Sequence, residues 1–512
     1  MMGRTLYIFG SVQRLPLLPV FAPLRRASCL LLLLLPLLPA CAPKVVQRLP
    51  MDRVGRFIHT LATETRQANA NWGVLAVNLA TGKTLIEFYA DHHFAPASNT
   101  KLYTSAAALF LLGSDYRYLT PILADGPVTD GVLDGDLIVM GVGDPSWSAR
   151  MREEDGASVF RGWADSLAAR GINRITGDII GIDGTSDGIP YGAGWMWDDE
   201  PFWHGAPISG LMFNENVVDI TIVPNLGGTP QLILDPVTDY VTIVNNLTTL
   251  DTLNNPDSLV ADIELTRPRG SNVARLDGIS PPDTVETAVA VENPVLFTAT
   301  VLGETLLAAG IKVDGQPLAR YRFAPGREPL EIVGDTLFTF ASPRMGEIVY
   351  YLNKDSQNLM AENLLRTVSI GVEGGASAEA GLEKMRPVWA FMGIDTNTIF
   401  LRDGSGVSHY NRVTPRATVS LLRFMHGDTT FFKSLPIAGV DGTLEKRMAD
   451  GPAQGRVFAK TGTLTHAHTL SGYLIQTGGD TVAFSIMIND YLTSGAEVDR
   501  YADRLCELLV TL

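Results

Sequence analysis

Ser98 and Lys101 stand three residues apart, Ser356 and Asn358 frame one glutamine, and Lys460, Thr461, Gly462 and Thr463 run consecutively. Together these types supply serine acyl transfer without a histidine or a metal. Serine is a weak nucleophile until a neighbour takes its proton. Residues three apart share a helix face, so Lys101 is placed to take that proton once its amine is neutral. Burial lowers a lysine pKa, and a second cation, here Lys460, lowers it further. A helix N-terminus at Ser98 favours the developing negative charge. Ser356 is placed to relay a proton to a leaving amine. Asn358 offers a donor and an acceptor, enough to hold a substrate amide and Lys101 together. Lys460 and the hydroxyls of Thr461 and Thr463 suit a terminal carboxylate, and Gly462 lets a substrate backbone approach closely. The backbone N–H groups of Ser98 and Thr463 are candidates for an oxyanion hole. Taken singly, each motif has a structural explanation: an N-cap, a polar turn between helices, and a solvated lysine at a strand end. The order and context of all three carry the inference.

The surrounding pattern provides elements to hold them. Residues 51–69 have a helical spacing of apolar side chains, and residues 73–89 read as a hairpin around Ala80-Thr81-Gly82-Lys83. Residues 101–112 are apolar on nearly all sides, which predicts a buried helix, with Gly113 as its C-cap. Ser98 is therefore expected at the start of a central helix. Ser342-Pro343 reads as the N-cap and first-turn pair of a further helix, followed by another over 359–368, so Ser356 falls between two helices. Residues 456–461, 470–476 and 482–489 read as strands, with Lys460 on an edge strand, and 497–509 as an amphipathic helix. The hairpin and these strands are expected to form one five-stranded antiparallel sheet, covered on one face by helices from both chain ends and on the other by the Ser98 helix. The result is an α/β sandwich split between residues 51–113 and 331–512. Residues 114–330 have short strand-like runs between Gly, Asp, Asn and Pro turns and are expected to form one or two mainly β insertion domains, with helices near 157–170 and 294–309.

The chain has 512 residues with a net charge of −15, 46% hydrophobic and 19% charged. This is a globular composition, and its acidity argues against a nucleic-acid partner. Arg25 and Arg26 precede an apolar run over 30–38, followed by Pro39-Ala40-Cys41. Such a pattern is a signal peptide over 1–40, too short to span a bilayer, with a linker over 41–50. Leu38-Pro39-Ala40-Cys41 resembles a bacterial lipobox, which makes Cys41 a candidate lipidation site and membrane attachment. Loss of the leader brings the charge near −19. Cys506, in an apolar helical pattern, reads as a buried hydrophobe.

Two patterns are set aside. Gly184-Thr185-Ser186-Asp187-Gly188 has the spacing of a nucleophile elbow but is followed by turn residues rather than a helix. His92-His93 and His466-Ala467-His468 lack the accompanying carboxylates of a zinc site, so no metal or other cofactor is expected.

The three motifs resemble those of the low-molecular-mass class C penicillin-binding proteins. The likeness extends to Phe94-Ala95-Pro96-Ala97-Ser98, Gly143-Asp144-Pro145-Ser146, Trp195-Met196-Trp197-Asp198-Asp199, Phe213-Asn214-Glu215-Asn216, Leu401-Arg402-Asp403-Gly404-Ser405-Gly406 and Val413-Thr414-Pro415. The 258-residue separation of Ser98 and Ser356 matches that family's large insertion. The resemblance implies a penicilloyl-serine transferase (β-lactamase-like) fold. It also implies D-Ala-D-Ala carboxypeptidase or endopeptidase action on peptidoglycan stem peptides, and acylation of Ser98 by β-lactam antibiotics. His409 stands where the family often has an arginine that helps hold an acidic cross-link side chain; Asp198 and Asp199 are candidates for a substrate amino group. The competing readings are a β-lactamase-like hydrolase and an exported, non-catalytic binding or scaffold protein. Ser356 at the head of the middle motif, in place of a tyrosine, and Gln357 in place of an aspartate weigh against the lactamases.

Overall fold

A central antiparallel sheet joins the two ends of the chain. In this computed structural model, which describes residues 53–512 except 65, 153–154 and 251–260, the strands lie in the order Val457–Leu464, Ala467–Ile475, Thr481–Asn489, Asn71–Asn78, Thr84–Phe88. Every neighbouring pair is antiparallel. Strand side chains alternate between faces, and both faces of this sheet are covered. Val74, Ala76, Ile486 and Ile488 pack with Val54, Ile58, Val498, Leu505 and Leu509 of the helices Arg53–Glu64 and Gly495–Val510. Leu75, Val77, Ala483 and Met487 pack on the other side with Leu102, Tyr103, Val419 and Leu422. The latter come from the helices Thr100–Leu112 and Pro415–Met425. Double coverage explains why Thr481–Asn489 reads as an almost unbroken apolar run rather than an alternation. The terminal helix buries Cys506 completely, which pushes its thiol pKa up.

The helix Thr100–Leu112 is buried continuously from Thr100 to Leu109 and ends at Gly113, whose φ of 83° is one that glycine adopts without strain. Tight burial of a helix start is what places Ser98 and Lys101 at the wall of a cleft rather than in solvent.

Residues between the two halves build a second core. A mixed five-stranded sheet runs Pro317–Tyr321, Ile179–Asp183, Asp136–Gly141, Leu119–Asp125, Asp335–Ala341. Its first three strands are mutually parallel neighbours and its last two join antiparallel. The helices Ser158–Ala168 and Pro294–Ala308 close it with Phe160, Trp163, Phe297 and Leu302. Two three-stranded sheets follow, one around Val217–Val223 and one around Val273–Ser280. Pairing with Leu119–Asp125 carries the sheet to Ala341, beyond residue 330.

One expected helix start moves. Met345–Lys354 begins after an N-cap at Arg344, not at Ser342-Pro343. The Ser342 hydroxyl accepts the Tyr118 N–H at 2.9 Å and donates to the Pro343 carbonyl at 2.7 Å, so it serves the incoming loop instead of the helix. In the glycine-flanked decoy, Ser186 is buried against Asp183 and donates to its Oδ2 at 2.5 Å. The leader, the linker and Cys41 lie outside the described residues.

Candidate active site

Ser98 occupies the 3₁₀ turn Ala97–Asn99 that feeds directly into the buried helix. Two contacts fasten this turn to the sheet. Asn99 Nδ2 donates to the Lys460 carbonyl at 2.9 Å, and Thr469 Oγ1 donates to the Pro96 carbonyl at 2.8 Å. The fit leaves no room for a side chain at Gly462: a Cβ there would lie 2.3 Å from Thr469 Oγ1, 2.8 Å from Pro96 O and 2.9 Å from Ser98 N. Gly462 is thus required by the protein's own backbone, in addition to the substrate approach expected from sequence. Gly406 does the same from the opposite side. It holds φ 92°, and a Cβ would fall 1.8 Å from the Ala97 carbonyl oxygen.

Lys101 is fully buried. Its Nζ lies 2.8 Å from Ser98 Oγ, 2.6 Å from Asn358 Oδ1 and 2.7 Å from the Ser405 carbonyl oxygen. Burial pulls its pKa down to about 7, against the opposing charges of Asp403 and Glu362. Lys460 is also fully buried and donates to the Thr461 carbonyl at 3.0 Å. Burial, and then repulsion from Lys101, hold its pKa well below the ordinary lysine value. The sequence predicts that Lys460 lowers Lys101; the effect runs the other way, with Lys101 lowering Lys460 while burial alone lowers Lys101.

Ser356 sits at φ 62° between the helices Met345–Lys354 and Asn358–Thr367. Asn358 opens the second helix. Its Oδ1 takes Lys101, and its Nδ2 donates to the His204 carbonyl at 2.8 Å. In this structure the donor expected to meet a substrate amide is held by the insertion. Thr461 Oγ1 donates to Thr443 Oγ1 at 2.8 Å.

A cavity of about 540 Å³ brings Ser98, Ser356, Asn358, Thr461, Gly462 and Thr463 together with Asp199, His204, Asp355 and His409. That is an ordinary size for a small-ligand site. Lys101 and Lys460 stand behind this wall. Hydrogen bonds set the two specificity candidates on it: the His409 N–H donates to the Gly194 carbonyl at 3.1 Å, and Ser408 Oγ to the Ala193 carbonyl at 2.6 Å. Asp199 Oδ1 lies 3.2 Å from His204 Nε2. Asp198 is not among the residues facing the cavity.

Sequence reasoning missed the roles of Glu362, Asp403, His204 and Thr443. Glu362 had a signal: it lies four residues after Asn358, hence on the same face of one helix. Asp403 stood in a landmark segment but with no chemistry assigned. Burial, followed by repulsion from Glu362, pushes its pKa up to about 6.

A family model described as the D-Ala-D-Ala carboxypeptidase 3 (S13) family matches residues 57–510. A D-alanyl-D-alanine carboxypeptidase of Actinomadura sp. is 31% identical over 455 residues, covering 85% of this chain and 81% of that protein. The D-alanyl-D-alanine carboxypeptidase DacB of Haemophilus influenzae is 26% identical over 450 residues, covering 85% and 88%. The crystal structure of penicillin binding protein 4 (dacB) from Haemophilus influenzae matches with a TM-score of 0.73 at 24% identity, over 90% of this chain and all of that one. The same protein has also been solved in complex with a β-lactam.

Proposed function

The chain belongs to the D-Ala-D-Ala carboxypeptidase 3 (S13) family, and we propose that it is a serine DD-peptidase of the cell envelope that cleaves peptidoglycan stem peptides through an acyl-enzyme on Ser98. One observation carries the residue assignment: the Lys101 amine touches Ser98 Oγ, while its two other neighbours are carbonyl oxygens. A neutral amine has two N–H bonds and one lone pair. Carbonyls accept only, so they take the two N–H bonds and leave the lone pair to the serine hydroxyl.

The steps follow from that placement. Neutral Lys101 takes the Ser98 proton as Oγ bonds to the carbonyl carbon between the two terminal D-alanines. The backbone N–H groups of Ser98 and Thr463 receive the oxyanion. Ser356 relays the proton held by Lys101 to the leaving nitrogen, the C–N bond breaks, and D-alanine departs. Thr461 and Thr463 hold the terminal carboxylate, with Lys460 behind them. Asn358 holds Lys101 through Oδ1 and turns the Nδ2 hydrogen not given to the His204 carbonyl to the substrate amide. Water then gives a proton to Lys101 as it attacks the acyl carbon; the acyl C–Oγ bond breaks, and the same proton returns to Ser98 Oγ as the shortened peptide leaves. A β-lactam enters by the same attack, but its leaving nitrogen stays tethered to the acyl group.

Residues 51–113 and 331–512 supply the peptidase domain in this reading and 114–330 the insertion that walls the cleft, except that Asp335–Ala341 adds a strand to the insertion's sheet; support comes from the sheet drawn from both chain ends. Asp199 takes an amino group of the stem peptide, and His409 stands where an arginine would bind an acidic one. D-alanine release from peptides ending in Lys-D-Ala-D-Ala tests this. Faster release is expected with the lysine side-chain amine free than with it acetylated. Equal rates remove the role of Asp199, and no release from either contradicts the peptidase.

The leader is read as an export signal with lipid attachment at Cys41. The mass of the mature N-terminal peptide should show cleavage before Cys41 and a diacylglycerol-modified cysteine; an unmodified N-terminus overturns the attachment.

A further inference from the structure

The catalytic wall hides a pair of carboxylates that no substrate reaches. We propose that Asp403 and Glu362 are positioning residues for Lys101, acting through the backbone of the turn 403–408. The proposal rests on the reading of Lys101 as the base.

Both side chains are fully buried, and neither lines the cavity. The Ser405 carbonyl that receives Lys101 belongs to the Ser405–Gly406 peptide. The N–H of that same peptide donates to Asp403 Oδ1 at 3.0 Å. A trans peptide points its C=O and N–H in opposite directions, so anchoring the N–H on Asp403 aims the C=O at Lys101 Nζ, 2.7 Å away. Glu362 Oε1 fixes the two preceding peptides by accepting the Gly404 and Ser405 N–H groups at 2.9 and 2.8 Å. Its Oε2 is held in turn by buried Arg366 at 2.9 Å. Asp403 Oδ2 accepts the Ser408 N–H at 2.6 Å and Trp195 Nε1 at 3.0 Å, the latter from the insertion.

The turn has no freedom to drift. A Cβ on Gly404 would lie 2.6 Å from the Ala361 carbonyl oxygen, and Gly406 abuts Ala97 beside the nucleophile. Carboxylate, peptide, amine and hydroxyl thus form one chain from Asp403 and Glu362 to Ser98 Oγ. If the Ser405 carbonyl turned away, one Lys101 N–H would lose its acceptor, and the lone pair would no longer be confined to the serine.

The pair also faces Lys101 electrostatically. The charged groups around the amine are Asp403 and Glu362, which favour its protonated form, and Lys460, whose own pKa Lys101 lowers. Neutralising either carboxylate therefore shifts Lys101 toward the free base at lower pH. A purely structural role would leave that midpoint in place.

Stopped-flow acylation by a fluorescent penicillin, followed against pH in Asp403→Asn and Glu362→Gln, tests the proposal. Both replacements keep side-chain volume. The expected result is a plateau acylation rate roughly tenfold or more below wild type, the scale set by misorienting a reacting pair. The acid-limb midpoint should move to lower pH, and the dissociation constant of the encounter complex should stay unchanged. Either variant suffices should the other fail to fold. A folded variant with the wild-type plateau and midpoint overturns the proposal. Failure of both to fold assigns the pair to folding and overturns it as well. A wild-type protein that does not acylate at all refutes the underlying Ser98–Lys101 reading instead.

Discussion

Replacing Lys101 with methionine is expected to slow acylation by penicillin roughly 10³-fold or more, because a positioned base contributes about 10² to 10⁴ in rate. Methionine fills a similar volume in a site that is fully buried, so the loss reports chemistry rather than a cavity. It leaves Ser405 O and Asn358 Oδ1 without their donor, at about 1–3 kcal/mol for each unsatisfied buried group. Removing a buried amine offsets part of that, so the folded protein should persist. The wild-type rate should rise as pH increases through about 7, where Lys101 gives up its proton. The stability contribution has the same sign. The unfolded chain keeps this proton up to the ordinary lysine value of about 10.5, whereas the folded chain releases it near 7. Lys101 therefore opposes folding below that window, and its penalty is relieved as pH rises from about 7 to 10.5. Stopped-flow acylation against pH checks both points; a methionine variant that acylates at the wild-type rate removes Lys101 from the mechanism.

The central sheet was legible because its strands carry their own boundaries and because the three motifs had to meet. Thr481–Asn489 and Asn71–Asn78 are apolar on both faces, which requires cover on both sides. The second core was harder. Ile179–Asp183 pairs in parallel with both Asp136–Gly141 and Pro317–Tyr321, and a five-residue strand with three isoleucines does not encode its partner. The start of Met345–Lys354 was misplaced because Ser342 has a better use for its hydroxyl, the Tyr118 N–H. At the site, residue types pointed to the groups proposed to carry out chemistry. They did not expose those that aim them. Asp403 and Glu362 act through backbone amides, and His204 through its carbonyl on Asn358. Any residue has those backbone groups, so only the fold reveals that these ones matter.

Replacing Ser98 with alanine removes one atom and spares the frame. The Asn99–Lys460 and Thr469–Pro96 contacts that fix the turn do not involve Ser98 Oγ. Folding should therefore be retained, while covalent chemistry stops. Peptide hydrolysis should fall to the roughly 10³- to 10⁴-fold advantage over water that an oxyanion hole and binding leave when a serine nucleophile is lost. The same variant is the control for the most direct measurement: intact mass and peptide mapping after incubation with benzylpenicillin. Wild-type protein should gain the mass of one whole penicillin molecule, on the peptide containing Ser98, and Ser98→Ala should gain none. An adduct on another residue, or one that persists in Ser98→Ala, would contradict the account.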